Sequence, residues 1–215
     1  MSEEYCFNQK TQRYHHRSGS LKGKMVSGAT VTQSRENFIS ESTDNLLALT
    51  KQLTTEKKSL KEWEEQASQI LTRQHAISYL LGIGGEKNLE DSDIEAINNR
   101  VKSELIYLRR LSSDYEKGLV SDSQLNARIK MFTRSSRGTY EGAKQTSHKK
   151  NGFLWEQRIL TKTENCNQCY EYSLRGWQRI GVLPPPTVAC NCRSNCGCYK
   201  IYSNQLFPED AAQPP

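Results

Sequence analysis

Hydrophobic residues are in short supply: they make up only 35% of this 215-residue chain, with 3 Met, 3 Trp and 5 Phe, and the mean hydropathy is −0.78. So lean a composition leaves little for one self-sufficient core and predicts extended or helical parts that bury surface against partners. Long apolar runs are missing as well. The richest cluster, "YLLGI" at 79–83, falls far short of the roughly 20 residues that cross a bilayer as a helix. The opening "MSEEYCFNQKTQRYHHRSG" has no apolar stretch behind its charges, so no secretory signal is expected and synthesis in the cytosol is. Histidine is rare: His15, His16, His75 and His148 are scattered, and none follows His148. The glycine cluster "GIGG" at 82–85 lacks the Lys-Ser/Thr that completes a phosphate-cradling loop. These absences argue against an enzyme. Neither a helix-turn-helix nor a C2H2 zinc-finger spacing is present.

What the chain does have is helical period, positive charge and cysteine. The formal charge is +6 and the isoelectric point is near 8.9, a balance that favours acidic partners or is simply solvated. Residues 1–36 read as an extended polar arm in which "RYHHRSGSLKGKMVS" allows a short hairpin turning at Ser18-Gly19. From 37 to about 150 the period is helical. Phe38, Leu46, Leu47, Leu49 and Leu53 form a loosely patterned first helix. Ser59 and Glu62 make a capping box ahead of Leu60, Trp63, Ala67, Ile70, Leu71, Ile77, Leu80 and Leu81. Ser92/Glu95 and Ser121/Gln124 make two more such boxes. The first precedes Ile94, Ile97, Val101, Leu105, Leu108 and Leu111, and the second precedes Leu125, Ile129, Phe132 and Tyr140. The expected fold is mainly α, a helical bundle or set of antiparallel hairpins. Asn151-Gly152 then marks a turn, Phe153–Leu160 reads as a short strand, and the triple proline at 184–186 excludes helix there.

The stretch 151–203 forms a separate cysteine-rich module, and 204–215 an irregular tail. Six of the chain's 7 cysteines lie in "CNQCYEYSLRGWQRIGVLPPPTVACNCRSNCGC", residues 166–198. Cys166 and Cys169 have the C-x2-C spacing that presents two thiolates to one tetrahedral ion, and the second cluster would complete a zinc-ribbon-like site. Zinc suits four soft sulfur ligands without redox chemistry. Cys166, Cys169, Cys192 and Cys196 are the expected ligands of a structural Zn2+, with Cys198 a close alternative and Cys190 spare. Cys6, far off in the arm, reads as a lone thiol. In an oxidising setting the same residues would instead pair as disulfides. On the last helix, Lys130, Arg134, Arg137 and Lys144 share a face turned from Leu125, Ile129 and Phe132. Such a stripe is either a solvated face or a phosphate contact.

The C-x2-C, the "GW-x-x-IG-x-LP" stretch and the closing "C-x-x-NC-x-C" together resemble the C-terminal signature of tailed-phage head-morphogenesis, or minor head, proteins. In this chain they are Cys166, Cys169, Gly176, Trp177, Ile180, Gly181, Leu183, Pro184, Cys192, Asn195, Cys196 and Cys198, with Tyr202 following. Upstream, "SLKEWEEQASQILTRQHAISYLLGIGG" and "LIYLRRLSSDYEKGLVSDSQLNARIKMF" are similar to the helical run of that group. The chain departs from the better-known Mu F-like relatives, which carry a histidine before the final cysteines where Arg193 and Ser194 stand here. "TVACNC" also replaces a glycine-rich approach. The resemblance implies a virion structural or assembly protein, made in the host cytoplasm, that joins capsid, portal or neck subunits in multiple copies. Packaged DNA is a further partner only if the basic stripe of Lys130, Arg134, Arg137 and Lys144 contacts phosphates rather than solvent. The alternative from composition alone is a cellular zinc-binding regulator that binds nucleic acid.

Overall fold

Short polar side chains set where the helices begin, and the turns that join them follow from those starts. The computed structural model describes residues 5–8, 13–161 and 164–205. Of the tail read at 204–215, residues 206–215 lie outside the described residues. The fold is mainly α, with two small antiparallel sheets. Strands β1 (Tyr5–Asn8), β2 (Arg13–His16) and β3 (Met25–Val26) form the first sheet in that order, and Ser18 and Gly19 lie in the β2–β3 connection as expected. Four long helices follow: α1 (Gly28–Thr54), α2 (Leu60–Ile83), α3 (Asp91–Glu116) and α4 (Asp122–Lys150). The second sheet, with order β5-β4-β6, comprises β4 (Trp155–Ile159), β5 (Gln178–Arg179) and β6 (Tyr199–Ser203). A short helix α5 (Asn167–Leu174) precedes β5. Among the described residues no helix is long and apolar enough to cross a membrane.

The Ser59/Glu62 and Ser121/Gln124 capping boxes form as the spacing predicts. At α3 the box is instead Glu90/Asp93. Asp93 is buried, and its carboxylate accepts from the Glu90 N–H at 3.0 Å, the Tyr79 hydroxyl at 2.7 Å and the Lys150 ammonium at 3.4 Å. Those tertiary partners fix Asp93 as the third residue of the helix and so move its start ahead of Ser92. Helix α1 starts inside the stretch read as an arm. Ser27 caps it, its hydroxyl accepting from the Thr30 N–H at 3.0 Å. Val31, within "GATVTQSRE", is buried among Tyr5, Tyr14, Val26, Leu81 and Tyr140. One apolar residue in a polar stretch is too weak a period to read in advance, yet it pins the first sheet onto the bundle.

The main core joins all four long helices. Leu46, Leu49 and Leu53 of α1 meet Trp63, Ala67 and Leu71 of α2, Leu108 and Leu111 of α3, and Leu125 and Ile129 of α4. Trp63 is fully buried, and its indole N–H donates to the Thr50 hydroxyl at 3.1 Å, so it brings no unmet donor into the core. Helix α3 is a poorer fit to its expected stripe: Leu108 and Leu111 are buried, while Ile94 is 46% exposed.

Helices α2 and α4 make the most extensive packing in the molecule, and farther along it the interface becomes polar. The Gln74 amide donates to the Thr133 carbonyl at 2.7 Å and to the Ser136 hydroxyl at 3.1 Å. His75 Nδ1 lies 2.7 Å from the Thr139 hydroxyl. Burial, reinforced by the nearby Arg100 charge, pushes the His75 imidazole down to about 3, so it sits neutral in the bundle. Small residues let the two helices approach. A Cβ at Gly82 would lie 2.5 Å from the Tyr140 carbonyl oxygen and 2.6 Å from the Ala143 Cβ. Helix α2 then ends at Gly84, whose φ of 85° places it in the left-handed region that closes a helix.

In an exposed helix, glycine to alanine gains up to about 1 kcal/mol. At Gly82 the added methyl meets backbone that cannot swing aside, so Gly82→Ala is expected to destabilise by about 1–3 kcal/mol. Urea unfolding of the variant against the parent chain checks the sign.

Candidate metal centre

Six sulfurs converge where α5, the loop before β6 and the end of β4 meet. Cys166 is the N-cap of α5 and Cys169 lies in its first turn, so the C-x2-C pair projects from one helix start. The second cluster comes from a tight segment: the Arg193 N–H donates to the Cys190 carbonyl, that of Asn195 to Cys192 and that of Cys196 to Arg193. This 3-10 turn, Arg193–Asn195, separates Cys190 and Cys192 from Cys196 and Cys198. Cys169, Cys190, Cys196 and Cys198 are buried, while Cys166 and Cys192 are partly covered, and Leu160 packs against the group. All seven cysteines are unbonded thiols.

The sulfur geometry suits a metal. The Sγ atoms of Cys166, Cys169, Cys190 and Cys192 all lie within 4.8 Å of one another, as do those of Cys169, Cys196 and Cys198. Cys169 Sγ is 3.9 Å from Cys192 Sγ and 3.6 Å from Cys196 Sγ. Four thiolates about 2.3 Å from a tetrahedral zinc stand about 3.8 Å apart, whereas a disulfide needs about 2.05 Å. These spacings are those of ligands around an ion.

Electrostatics point the same way. Burial pushes the Cys169 thiol well up, and the neighbouring Cys196 pushes it further. Burial raises Cys190 to about 11, again with Cys196 against it. Burial would also raise Cys166, but hydrogen bonds from the Cys192 thiol and from the backbone N–H groups of Cys169 and Cys192 outweigh it and bring it to about 6. At Cys196 burial is likewise outweighed, first by the backbone N–H groups of Cys198 and Thr187, and its thiol is lowered. Backbone amides therefore already point at sulfur as they would at thiolate. What the cluster lacks from its own residues is a counter-charge for several thiolates side by side, which a soft divalent cation supplies.

Of the four expected ligands, Cys166, Cys169 and Cys192 fall in one group and Cys196 in the other. Cys190, read as spare, belongs to the first group. Cys198, the close alternative, belongs to the second. Sequence spacing alone carried no information on that division, because the 3-10 turn sets it. Cys6 lies on β1, away from the cluster.

The module is held to the bundle by buried charge. Glu156 on β4 and Lys200 on β6 are both fully buried and pair at 2.9 Å. Glu156 also accepts from the Gly181 N–H at 3.0 Å, the Leu183 N–H at 2.8 Å and the Gln145 amide of α4 at 2.8 Å. Lys200 donates to the Leu183 carbonyl, and Arg158 to that of Pro184. Burial pulls the Lys200 ammonium down to about 8 despite the Glu156 carboxylate beside it. The "IG-x-LP" residues are thus a loop whose backbone is gripped by three buried side chains of the sheet. Neither Glu156 nor Lys200 was legible as functional: each looks like an ordinary surface charge in a strand. Within that loop Leu183 is buried, while Val182 is 54% exposed.

The basic stripe of α4 is largely spoken for. Arg134 donates to Asn195 Oδ1 at 2.8 Å, so it ties α4 to the cysteine turn. Arg137 pairs with Glu36, which also binds Arg35 at 2.8 Å. Lys144 donates to the Lys200 carbonyl at 3.4 Å and sits 5.5 Å from the Tyr202 ring centre. Lys130 remains exposed. A groove of about 480 Å³ beside the module is lined by Arg35, Glu36, Arg134, Arg137 and Glu141; Arg35, Glu36, Arg137 and Glu141 pair among themselves, and Arg134 binds Asn195. No protein-family model, curated protein or solved structure matches the chain.

Losing one member of a buried pair strands the other charge and typically costs about 3–5 kcal/mol. Lys200→Met is therefore expected to destabilise by that amount. The double variant Lys200→Met/Glu156→Gln is expected to recover a large part, since no unpaired charge remains and the glutamine oxygen still accepts from the Gly181 and Leu183 N–H groups. Urea unfolding of the three proteins checks it, and a nearly neutral Lys200→Met would contradict the pair's role.

Proposed function

We propose that this chain is a structural or assembly protein of a tailed-bacteriophage virion. In this reading the helices and N-terminal sheet join capsid, portal or neck subunits, and a zinc-bound C-terminal module forms a rigid end. The observation that carries it is the use made of the signature residues. Cys166, Cys169, Cys192, Cys196 and Cys198 crowd into one sulfur cluster. Gly181, Leu183 and Pro184 are gripped by Glu156, Lys200 and Arg158. Asn195 receives Arg134 from α4. Every one of these contacts stiffens the module or seats it on the bundle, which is what a docking end requires.

An all-sulfur site supports a structural zinc over a catalytic one, because a catalytic zinc keeps an open position and commonly a histidine or carboxylate ligand. The chain is read as a non-enzyme on that ground. Exposed Ile106 and Tyr107 on α3, and Leu119 at the turn after it, leave apolar surface for neighbouring subunits. The alternative of a nucleic-acid-binding regulator gains little, since Arg134, Arg137 and Lys144 already serve partners within the chain.

Purified particles of the phage that encodes the chain are the direct test. The polypeptide is expected in them, and its ratio to the major capsid protein locates it: about a dozen copies fit a portal-ring position and hundreds fit the shell. Absence from the particles and from their assembly intermediates would overturn the reading.

A further inference from the structure

A tetrahedral ion takes four thiolates, yet six thiols share this pocket. A single zinc on Cys166, Cys169, Cys190 and Cys192 would leave Cys196 and Cys198 buried beside it without a role. A single zinc on the other group would strand Cys166 and Cys192. Neither choice uses the arrangement.

The two groups are not separate, because Cys169 belongs to both. Its sulfur stands 3.9 Å from that of Cys192 on one side and 3.6 Å from that of Cys196 on the other, each the spacing of two ligands on one zinc. Cys190 lies within 4.8 Å of Cys166, Cys169 and Cys192 and packs in the same buried cluster as Cys196 and Cys198, so a shift of its sulfur toward them on binding would let it serve both sides. The 3-10 turn at Arg193–Asn195 then separates two C-x-C pairs, Cys190/Cys192 and Cys196/Cys198, and sends their outer members to opposite sides of Cys169.

We infer that the cluster binds two zinc ions, bridged by the thiolates of Cys169 and Cys190. Cys166 and Cys192 complete the tetrahedron of one ion, and Cys196 and Cys198 that of the other. Each ion then has four sulfur ligands, and all six thiols of the module are used. On binding, Cys198 exchanges its 3.6 Å hydrogen bond to Asn165 Oδ1 for a metal bond. The central position of Cys169, fully buried at the start of α5, is what makes it a bridge. The inference rests on the reading that these cysteines hold zinc at all, and it adds the stoichiometry and the sharing.

The full-length chain, purified under reducing conditions without chelator, tests both. Zinc is measured by elemental analysis against protein concentration and by native mass spectrometry, and free thiols by alkylation before and after chelation. The expected result is two zinc ions per chain, with a single reactive thiol (Cys6) before chelation and seven after. One zinc per chain with two extra reactive thiols would overturn the shared cluster and leave a single zinc site standing. No zinc would remove both readings. A Cys192→Ala variant is expected to keep one ion where the parent holds two. Should that variant fail to fold, cobalt substitution of the parent chain decides: thiolate bridging couples the two ions, so the magnetic moment per cobalt falls as the second equivalent binds. Independent moments at two equivalents would contradict the bridge.

Discussion

Thiolate repelling thiolate is the constraint on which the C-terminal third depends. Several sulfurs lie at ligand spacing around Cys169, and burial plus mutual repulsion resists charging them together. A module with so little apolar core of its own is held by whatever resolves that conflict. A soft divalent cation held among these cysteines would do so, because each thiolate would then face a positive charge. The surrounding backbone is arranged for this: amides of Cys169, Cys192, Cys198 and Thr187 already turn toward sulfur.

Rigidity at the sulfur cluster matters because α4 carries it to the rest of the molecule. Gly138 and Gly142 on α4 face the proline loop, and a Cβ at Gly138 would strike the Thr187 hydroxyl. On the same helix Arg134 reaches the cysteine turn and Gln145 reaches the Glu156–Lys200 pair. The opposite side of α4 packs against α2 through Gln74, His75 and Gly82. A single helix therefore joins the helical core, the buried charge network and the cysteine module. Buried ion pairs contribute modestly to net stability. Here Glu156 and Lys200 select one loop conformation, since both bind the backbone of Leu183.

How much of this was legible in advance depended on whether the cause was local. Ser59/Glu62 and Ser121/Gln124 are local devices, and both helix starts follow from them. The start of α3 was not, because Tyr79 and Lys150, distant in sequence, decide where Asp93 sits. The first turns of α1 were hidden by their polar composition, and so was the upper α2–α4 interface, where buried Gln74 pairs with Thr133 and Ser136, and buried His75 with Thr139, instead of the contact being apolar. At the candidate site, residue type and spacing gave the cluster but not its internal division. Cys190 looked spare only because nothing in "TVACNC" shows the turn that brings it against Cys169. The α4 basic stripe was real as a pattern, but its partners, Glu36, Asn195 and the Lys200 carbonyl, come from remote segments.

An anomalous difference map from crystals of the full chain, recorded on either side of the zinc absorption edge, addresses the central claim most directly. The account predicts strong edge-dependent density inside the cage formed by Cys166, Cys169, Cys190, Cys192, Cys196 and Cys198. Sulfurs joined in pairs, with no edge-dependent density among them, would contradict it.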